Sequence, residues 1–168
     1  QAEPQIITQA NSFNKNLFDV VAMPERQHES RWGIRTMTIF VANPTNDTIN
    51  FNAQDRRLYM KMQALDKNGE WRYIEYLPSS WCGNSYHTTY LSPGRYWSFA
   101  APVYQGSFET RLRVQLEVIV GNATHQMFEH NKNTRLVYSN EFTGSVNPGQ
   151  FWRKEGYKPM GIRDPYDE

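Results

Sequence analysis

The chain has few of the features that stabilise or localise many small proteins. It contains one cysteine, Cys82, so no disulfide can form within the chain, which favours a periplasmic or reducing setting. No apolar stretch is long enough to span a bilayer. The formal net charge is +1, from 18 Lys and Arg against 17 Asp and Glu, and gives no basis for binding nucleic acid. There is no Gly-rich phosphate loop, acid pair or metal cluster, so we expect no cofactor, no metal and no enzymatic activity.

One ten-residue stretch carries the clearest structural signal. Apolar and polar residues alternate from Arg111 to Val120, which is typical of a strand with one buried and one wet face. The predicted inner positions are Leu112, Val114, Leu116, Val118 and Val120. The predicted outer positions are Arg111, Arg113, Gln115 and Glu117.

Similar patterns recur along the chain, and no comparable helical run does. Further strands are predicted at Leu17–Met23, Arg35–Ala42, Ile49–Phe51, Leu58–Ala64, Trp71–Tyr76, Tyr96–Ala100 and Leu136–Phe142. Met37, Ile39 and Val41 are expected inside. Glu25–Gly33 is predicted as a loop, and Asn68-Gly69 as a tight hairpin turn in which both residues have positive φ.

The chain divides into three parts by composition. Residues 1–16 are predicted to form a polar tether, residues 17–142 a β-sandwich, and residues 143–168 an irregular extension rich in Pro and Gly. The extension also carries large apolar side chains, which flexible tails usually lack. We therefore expect it to dock on the sandwich or on a neighbouring molecule.

The strand pattern predicts an all-β protein with an antiparallel two-sheet sandwich. Gly106–Val114, followed after a loop by Val137–Phe142, resembles the final two strands of bacterial immunoglobulin-like domains, also described as fibronectin-III-like. Leu91–Gly94 resembles the corner before the preceding strand pair of those domains. The resemblance implies an immunoglobulin-like fold in an exported protein and leaves the activity open.

The first residues also favour export. The chain starts at Gln1 rather than Met, and the polar segment that follows is typical of the stretch after a signal-peptide or lipoprotein cleavage. We expect a periplasmic or cell-surface protein, with or without a lipid anchor upstream of Gln1. Its expected partner is a protein or a glycan of the cell envelope.

Aromatic residues supply the candidate binding site. Those singled out are Trp81, Tyr86, Tyr90, Tyr96, Trp97, Phe151 and Trp152. They fit a platform on which sugar rings stack, or they fill the core and cover strand edges, and the second interpretation is favoured. Tyr96 and Trp97 must point to opposite faces, so one of them is expected to be exposed or covered by the C-terminal extension.

Two polar groups of residues allow chemistry but do not favour it. Cys82 with His87 has the residue types of a cysteine nucleophile, although a free cysteine usually only packs. His125, Glu129 and His130 have the residue types of zinc ligands, but His-x4-His is not the helical i, i+4 spacing of metalloproteases, and histidines in a polar loop more often contact water.

Two further segments match acceptor patterns for modification. Asn46–Thr48 and Asn122–Thr124 match the N-glycosylation pattern, and Asp47–Ile49 resembles the acceptor for O-glycosylation in exported proteins of Bacteroides-type bacteria. Short patterns of this kind occur often by chance. Asn46–Thr48 and Asn122–Thr124 both lie in predicted turns, where a glycan could be tolerated.

These observations favour a non-enzymatic, exported β-sandwich that acts by binding or structural association at the bacterial cell envelope. A carbohydrate-binding module with exposed Trp and Tyr is the first alternative. The others are a cysteine-dependent hydrolase and a proteinase inhibitor that presents the loop Pro78–Tyr86.

Overall fold

The computed structural model describes residues 3–8, 13, 16–31, 33–76, 85–121 and 131–152. These residues form an all-β structure in which every strand pair is antiparallel, and no α-helix occurs among them. The predicted fold class is therefore confirmed at the level of an antiparallel all-β protein. An immunoglobulin-like arrangement of two sheets stays a prediction.

Backbone hydrogen bonds group the strands into three sheets. The first has the order β1-β9-β3-β2, formed by Gln5–Ile6, Arg95–Pro102, Arg35–Asn43 and Asp19–Glu29. The second has the order β11-β10-β6-β7, formed by Thr134–Tyr138, Phe108–Ile119, Met60–Leu65 and Trp71–Tyr73, and β12 (Phe142–Val146) also pairs with β10. The third has the order β5-β4-β8, formed by Arg57–Leu58, Ile49–Gln54 and Tyr86–Leu91.

Side chains from all three sheets meet in one hydrophobic core. The inner residues predicted for β10 and β3 each expose 2% or less of their surface, which confirms the predicted strand faces: Leu112, Val114, Leu116, Val118, Met37, Ile39 and Val41. Val120 was predicted to lie with them but is 41% exposed, because β10 ends at Ile119. The core therefore depends on the alternation that the sequence displays.

The predicted loop Glu25–Gly33 is wrong over its first half. Strand β2 continues through Pro24 to Glu29, with a shift in register between Met23 and Gln27. A bulge of this kind in an edge strand accommodates proline, which cannot donate a ladder hydrogen bond. The pattern of residues alone did not reveal the bulge.

The predicted final strand Leu136–Phe142 is also wrong, since this range covers the end of β11, a break at residues 139–141 and the first residue of β12. Both strands pair with β10, and the hydroxyl of Ser139 accepts a hydrogen bond from the Val114 amide where the ladder is interrupted. Asn140 turns its side chain away towards β2 at this point. Its amide accepts from the Ala22 N–H at 2.8 Å and donates to the Ala22 carbonyl at 3.0 Å.

The hairpin between β6 and β7 differs from the predicted turn as well. Only Gly69 has a positive φ, of 80°, whereas Asn68 does not. The turn is closed by a hydrogen bond from the Gly69 N–H to the Asp66 carbonyl. This geometry is that of a longer loop ending in a left-handed residue. The returning strand β7 ends at Tyr73 rather than at Tyr76, and the Glu75 carboxylate accepts a hydrogen bond from the Met62 amide next to it.

The C-terminal part of the described chain packs on the core. Val146 is fully buried, and a short 3-10 turn at Pro148–Phe151 follows it. Gln150 is 1% exposed and donates to the Ile74 carbonyl. Residues 143–146, which were predicted to be irregular, belong to strand β12, and Phe151 packs against the core, whereas Trp152 is exposed. Residues 153–168 lie outside the described part of the chain.

Candidate functional site

The outer surface of the second sheet carries stacked cations and aromatic rings. Its members are Lys61 on β6, Trp71 and Tyr73 on β7, Arg113 on β10 and Tyr138 on β11, and we call this surface the ladder face. Each of these residues alternates with an inward residue of its strand or pairs with an outward neighbour across the sheet. The register of the strands therefore places them together.

Arg113 lies between two rings of the ladder face. Its guanidinium carbon is 4.1 Å from the centroid of the Trp71 ring and 3.9 Å from that of Tyr138. The Lys61 ammonium lies 3.7 Å from the centroid of the Tyr73 ring. Cation–π contacts of this kind contribute about 0.5–2 kcal/mol each, depending on exposure. Every ring of the ladder face therefore has a cation on one side.

Two buried glutamines hold the ladder face in place. Gln63 and Gln115 are 6% and 5% exposed, although both lie on the outer side of their strands. Gln63 donates to Gln115 and accepts from Nε of Arg113 at 2.8 Å. The Tyr73 hydroxyl donates to the same Gln115 oxygen at 3.0 Å. Because these polar groups satisfy one another, the guanidinium and the Tyr73 ring are held in one orientation.

Burial shifts the pKa values of three groups next to the ladder face. Burial lowers the pKa of Lys61, and Glu75 and Glu117 oppose that shift. Burial also raises the pKa of Tyr59 to about 12, with smaller contributions from Tyr86 and Glu117. Burial raises the pKa of Glu75, while hydrogen bonds from the Met62 amide and the Tyr104 hydroxyl oppose that rise. Tyr59 therefore keeps its phenolic proton at a pH where an ordinary tyrosine loses it.

A second candidate site is an open cleft of about 310 Å³ at the C-terminal end of the described chain. It lies between the β6–β7 turn and the 3-10 turn, and we call it the C-terminal cleft. Its lining consists of Asp66, Lys67, Asn68, Arg72, Phe108, Pro148 and Phe151. The rings of Phe108 and Phe151 meet edge to face with centroids 5.8 Å apart. The cleft thus combines an aromatic floor with a charged rim.

The six predicted aromatic residues that the structure describes lie on different parts of the fold. Trp97 is 2% exposed and belongs to the core, where its ring packs on Phe51 with centroids 5.4 Å apart. Tyr96 lies on the opposite face, as the alternation predicts, and the ring of Phe13 packs against it with centroids 5.2 Å apart. Tyr90 is 58% exposed.

The other predicted residues are also spread over the molecule. Tyr86 is half-buried at the start of β8, opposite Gln54. Phe151 is half-buried in the C-terminal cleft, and Trp152, directly after it, is 86% exposed. Trp81 lies outside the described residues.

Most of the polar candidates fall outside the described residues. These are Cys82, His125, Glu129, His130, the segment 122–124 and most of the loop Pro78–Tyr86. His87 is half-buried, and its Nδ1 lies 3.1 Å from the Ser85 carbonyl. Within the described ranges, no group of three or more His, Cys, Asp or Glu could hold a metal ion. Asn46, Asp47 and Thr48 are exposed in the turn before β4.

The ladder face was not predicted from the sequence. The signal available was the alternation on the β6–β7 hairpin, where Lys61 and Gln63 face Trp71 and Tyr73 across a short turn. Outward polar residues on a strand usually contact water, so the pattern alone does not distinguish a stacked network from a solvated face.

Comparison of the chain with models of known families, with curated proteins and with solved structures finds no match in any of the three. The described part of the chain contains no helix that is long and apolar enough to cross a membrane.

Proposed function

We propose that this protein is an exported, non-enzymatic, immunoglobulin-like β-sandwich that binds a protein partner at the bacterial cell envelope through the ladder face. The observation that carries the proposal is the Arg113 guanidinium stacked between the rings of Trp71 and Tyr138. Trp, Tyr and Arg are the residue types that contribute most to affinity in protein interfaces. The proposed surface presents all three in one fixed arrangement.

The exposed residues beside the stack support binding by a partner. Tyr138 is 40% exposed, and Leu136, next to it on the same face of β11, is 45% exposed. Together they add apolar area at the edge of an ordered polar surface. An ordered surface loses little side-chain entropy on binding, so more of the contact energy appears as affinity.

The covered rings favour a protein over a glycan on this face. A sugar ring stacks on an open aromatic face, whereas Trp71, Tyr73 and Tyr138 each have a cation against one face. A protein side chain can contact the remaining ring surface and the guanidinium from the side.

Two further observations support the immunoglobulin-like and exported parts of the proposal. The segments that resemble bacterial immunoglobulin-like domains, Gly106–Val114 and Val137–Phe142, lie on strands that pair with each other. The corner at Leu91–Gly94 joins β8 and β9 through Gly94, which has a φ of 65°. Fractionation of the cells that encode the chain, followed by immunoblotting, tests export, and recovery with the cytoplasmic fraction would contradict it.

The binding proposal is tested with the full chain immobilised and exposed to an envelope extract of the organism that encodes it. A partner identified in this way is purified, and its dissociation constant is measured against the Leu136→Ser and Tyr138→Ser variants. We expect each substitution to weaken binding about tenfold, which corresponds to roughly 1.4 kcal/mol. Both positions are exposed, so the variants keep the fold.

Tyr90→Ser is the matched control, because Tyr90 is an exposed tyrosine on a different sheet. The partner should bind this variant as it binds the parent. Equal affinity for the parent and for both ladder-face variants would contradict the proposed surface. A failure of the extract to supply any specific partner would contradict the proposed function.

A further inference from the structure

The C-terminal cleft is preformed by contacts from three directions. Arg72 Nη2 donates to the Phe151 carbonyl at 3.2 Å, and Gln150 Nε2 donates to the Ile74 carbonyl at 3.3 Å. A Cβ atom added at Gly106 would collide with the backbone of Val146 and Asn147, so this close approach requires glycine. These contacts hold the 3-10 turn at a fixed distance from the β6–β7 turn.

The charged side chains at the rim of the cleft carry a net positive charge. It contains Lys67 and Arg72 against the single carboxylate of Asp66. Asp66 Oδ1 already accepts from the backbone N–H groups of Asn68 and Glu70, at 2.8 and 2.9 Å. Those hydrogen bonds, led by the one from Glu70, lower the pKa of Asp66, and its other oxygen lies 3.8 Å from Arg72. The remaining positive charge favours an anionic ligand.

The floor of the cleft, together with Trp152, the residue that follows Phe151 in the chain, suits a ring-shaped ligand. Phe108, Pro148 and Phe151 form the apolar part of the lining, and Trp152 follows them with 86% of its surface exposed. The aromatic π face is negative and attracts the polarised C–H groups on one side of a pyranose ring. A volume of about 310 Å³ lies at the lower end of the range of small-molecule sites.

We propose that the C-terminal cleft and Trp152 bind a saccharide that contains a uronic acid. The pyranose ring stacks on the Trp152 indole, and its carboxylate lies towards Lys67 and Arg72. The mixed lining favours a saccharide over a peptide, since a sugar presents an apolar face and a polar rim at once. This site shares no residue with the ladder face, so the two proposals can fail separately.

The test is isothermal titration calorimetry on the full chain with three saccharides. The acidic probes are tetragalacturonate and a hyaluronan tetrasaccharide, and the neutral probe is tetragalacturonate whose carboxyl groups have been reduced to alcohols. We expect at least one acidic probe to bind ten times or more tightly than the neutral one. Trp152→Ala should weaken that binding at least tenfold, and Lys67→Gln should remove most of the preference for the acidic probe.

Matched controls separate this site from the rest of the surface. Lys132→Gln removes an exposed cation elsewhere, and Tyr90→Ala removes an exposed aromatic ring elsewhere. Tyr138→Ser alters the ladder face. All three should bind the acidic probe as the parent does.

Three outcomes would overturn the proposal. The first is that neither acidic probe binds at millimolar concentration. The second is that Trp152→Ala and Lys67→Gln bind as the parent does. The third is that hexaglutamate binds more tightly than either acidic saccharide and is lost in the same variants, which would make the cleft a site for acidic peptides.

Discussion

Asp55 and Arg56 are the two non-glycine residues with a positive φ among those that the structure describes, at 48° and 65°. They form the two-residue turn between β4 and β5, where Gln54 pairs with Arg57. Hairpin turns of this length favour the left-handed region because it matches the twist of the strands. For residues with a Cβ atom that region costs about 1–2 kcal/mol, so this turn lowers the stability of the fold.

Replacing Arg56 with glycine should therefore stabilise the protein. We expect Arg56→Gly to raise the free energy of unfolding by about 0.5–1 kcal/mol, because glycine removes the strain but adds freedom to the unfolded chain. Urea denaturation followed by tryptophan fluorescence measures the change. Arg57→Gly is the control: this residue lies in β5 with an ordinary φ, so the same substitution should destabilise. A lower stability for Arg56→Gly than for the parent would contradict the interpretation.

At the scale of elements, the interruption between β11 and β12 joins the first two sheets. The Asn140 side chain forms two hydrogen bonds with the backbone of Ala22, in the edge strand of the first sheet. The Asn140 side chain thus forms, at Ala22, the two hydrogen bonds that a neighbouring strand would otherwise form with that edge. Ala22 is 2% exposed, so water does not replace these bonds easily.

Asn140→Ala should destabilise the protein by about 1–3 kcal/mol, because it leaves a buried N–H and a buried carbonyl without partners. Hydrogen exchange measured by NMR should show that the substitution speeds up exchange, relative to the parent, more at the Ala22 amide than at the Val41 amide in β3. Asn46→Ala, in an exposed turn, is the matched control and should change neither quantity. Unchanged protection of Ala22 in the Asn140 variant would show that the side chain does not close this edge.

The sequence was sufficient to predict the faces of strands where burial alone sets the alternation of apolar and polar residues. The inner faces of β3 and β10 follow from alternation, because every second residue must leave water. It was insufficient where side chains bond to a distant backbone. Ser139 bonds to Val114, and Asn140 bonds to Ala22 across 118 residues, so no local pattern could indicate that the last strand is split.

The residues of the candidate sites were likewise predicted only where a local feature of the sequence indicates them. Exposed Trp152 was singled out from the sequence because an aromatic residue in a segment rich in Pro and Gly is unusual. Arg113 was predicted only to face outwards. Its position between Trp71 and Tyr138 depends on the pairing of four strands, which single-chain periodicity does not specify.

At the scale of the whole molecule, Glu75 links stability to pH. Its pKa is raised in the folded protein from an ordinary value of 4.5, so the folded state binds this proton more tightly than the unfolded state does. The stabilisation from that proton is fully present below the ordinary pKa. It is lost as the pH rises through the raised pKa.

Glu75→Gln should remove this dependence and stabilise the protein at neutral pH. A glutamine can accept from the Met62 amide and donate to the Tyr104 hydroxyl, so it replaces the carboxylate without a buried charge. Urea denaturation at a series of pH values from 4.5 upwards measures the effect. Glu109→Gln, at an exposed position of β10, should keep the parental pH profile. Parallel profiles for the parent and Glu75→Gln would contradict the assignment.

The bonds between Asn140 and Ala22 can also form only late in the synthesis of the chain. Ribosomes add about 5–20 residues per second, so the 118 residues between the two take roughly 6–24 s to synthesise. Throughout that interval the backbone of Ala22 in β2 lacks the Asn140 amide that covers it, and β10 is itself completed only late in the interval. A chain in which Asn140 has not yet reached Ala22 therefore presents an open strand edge, and a chaperone that covers β2 until then would raise the yield of folded protein.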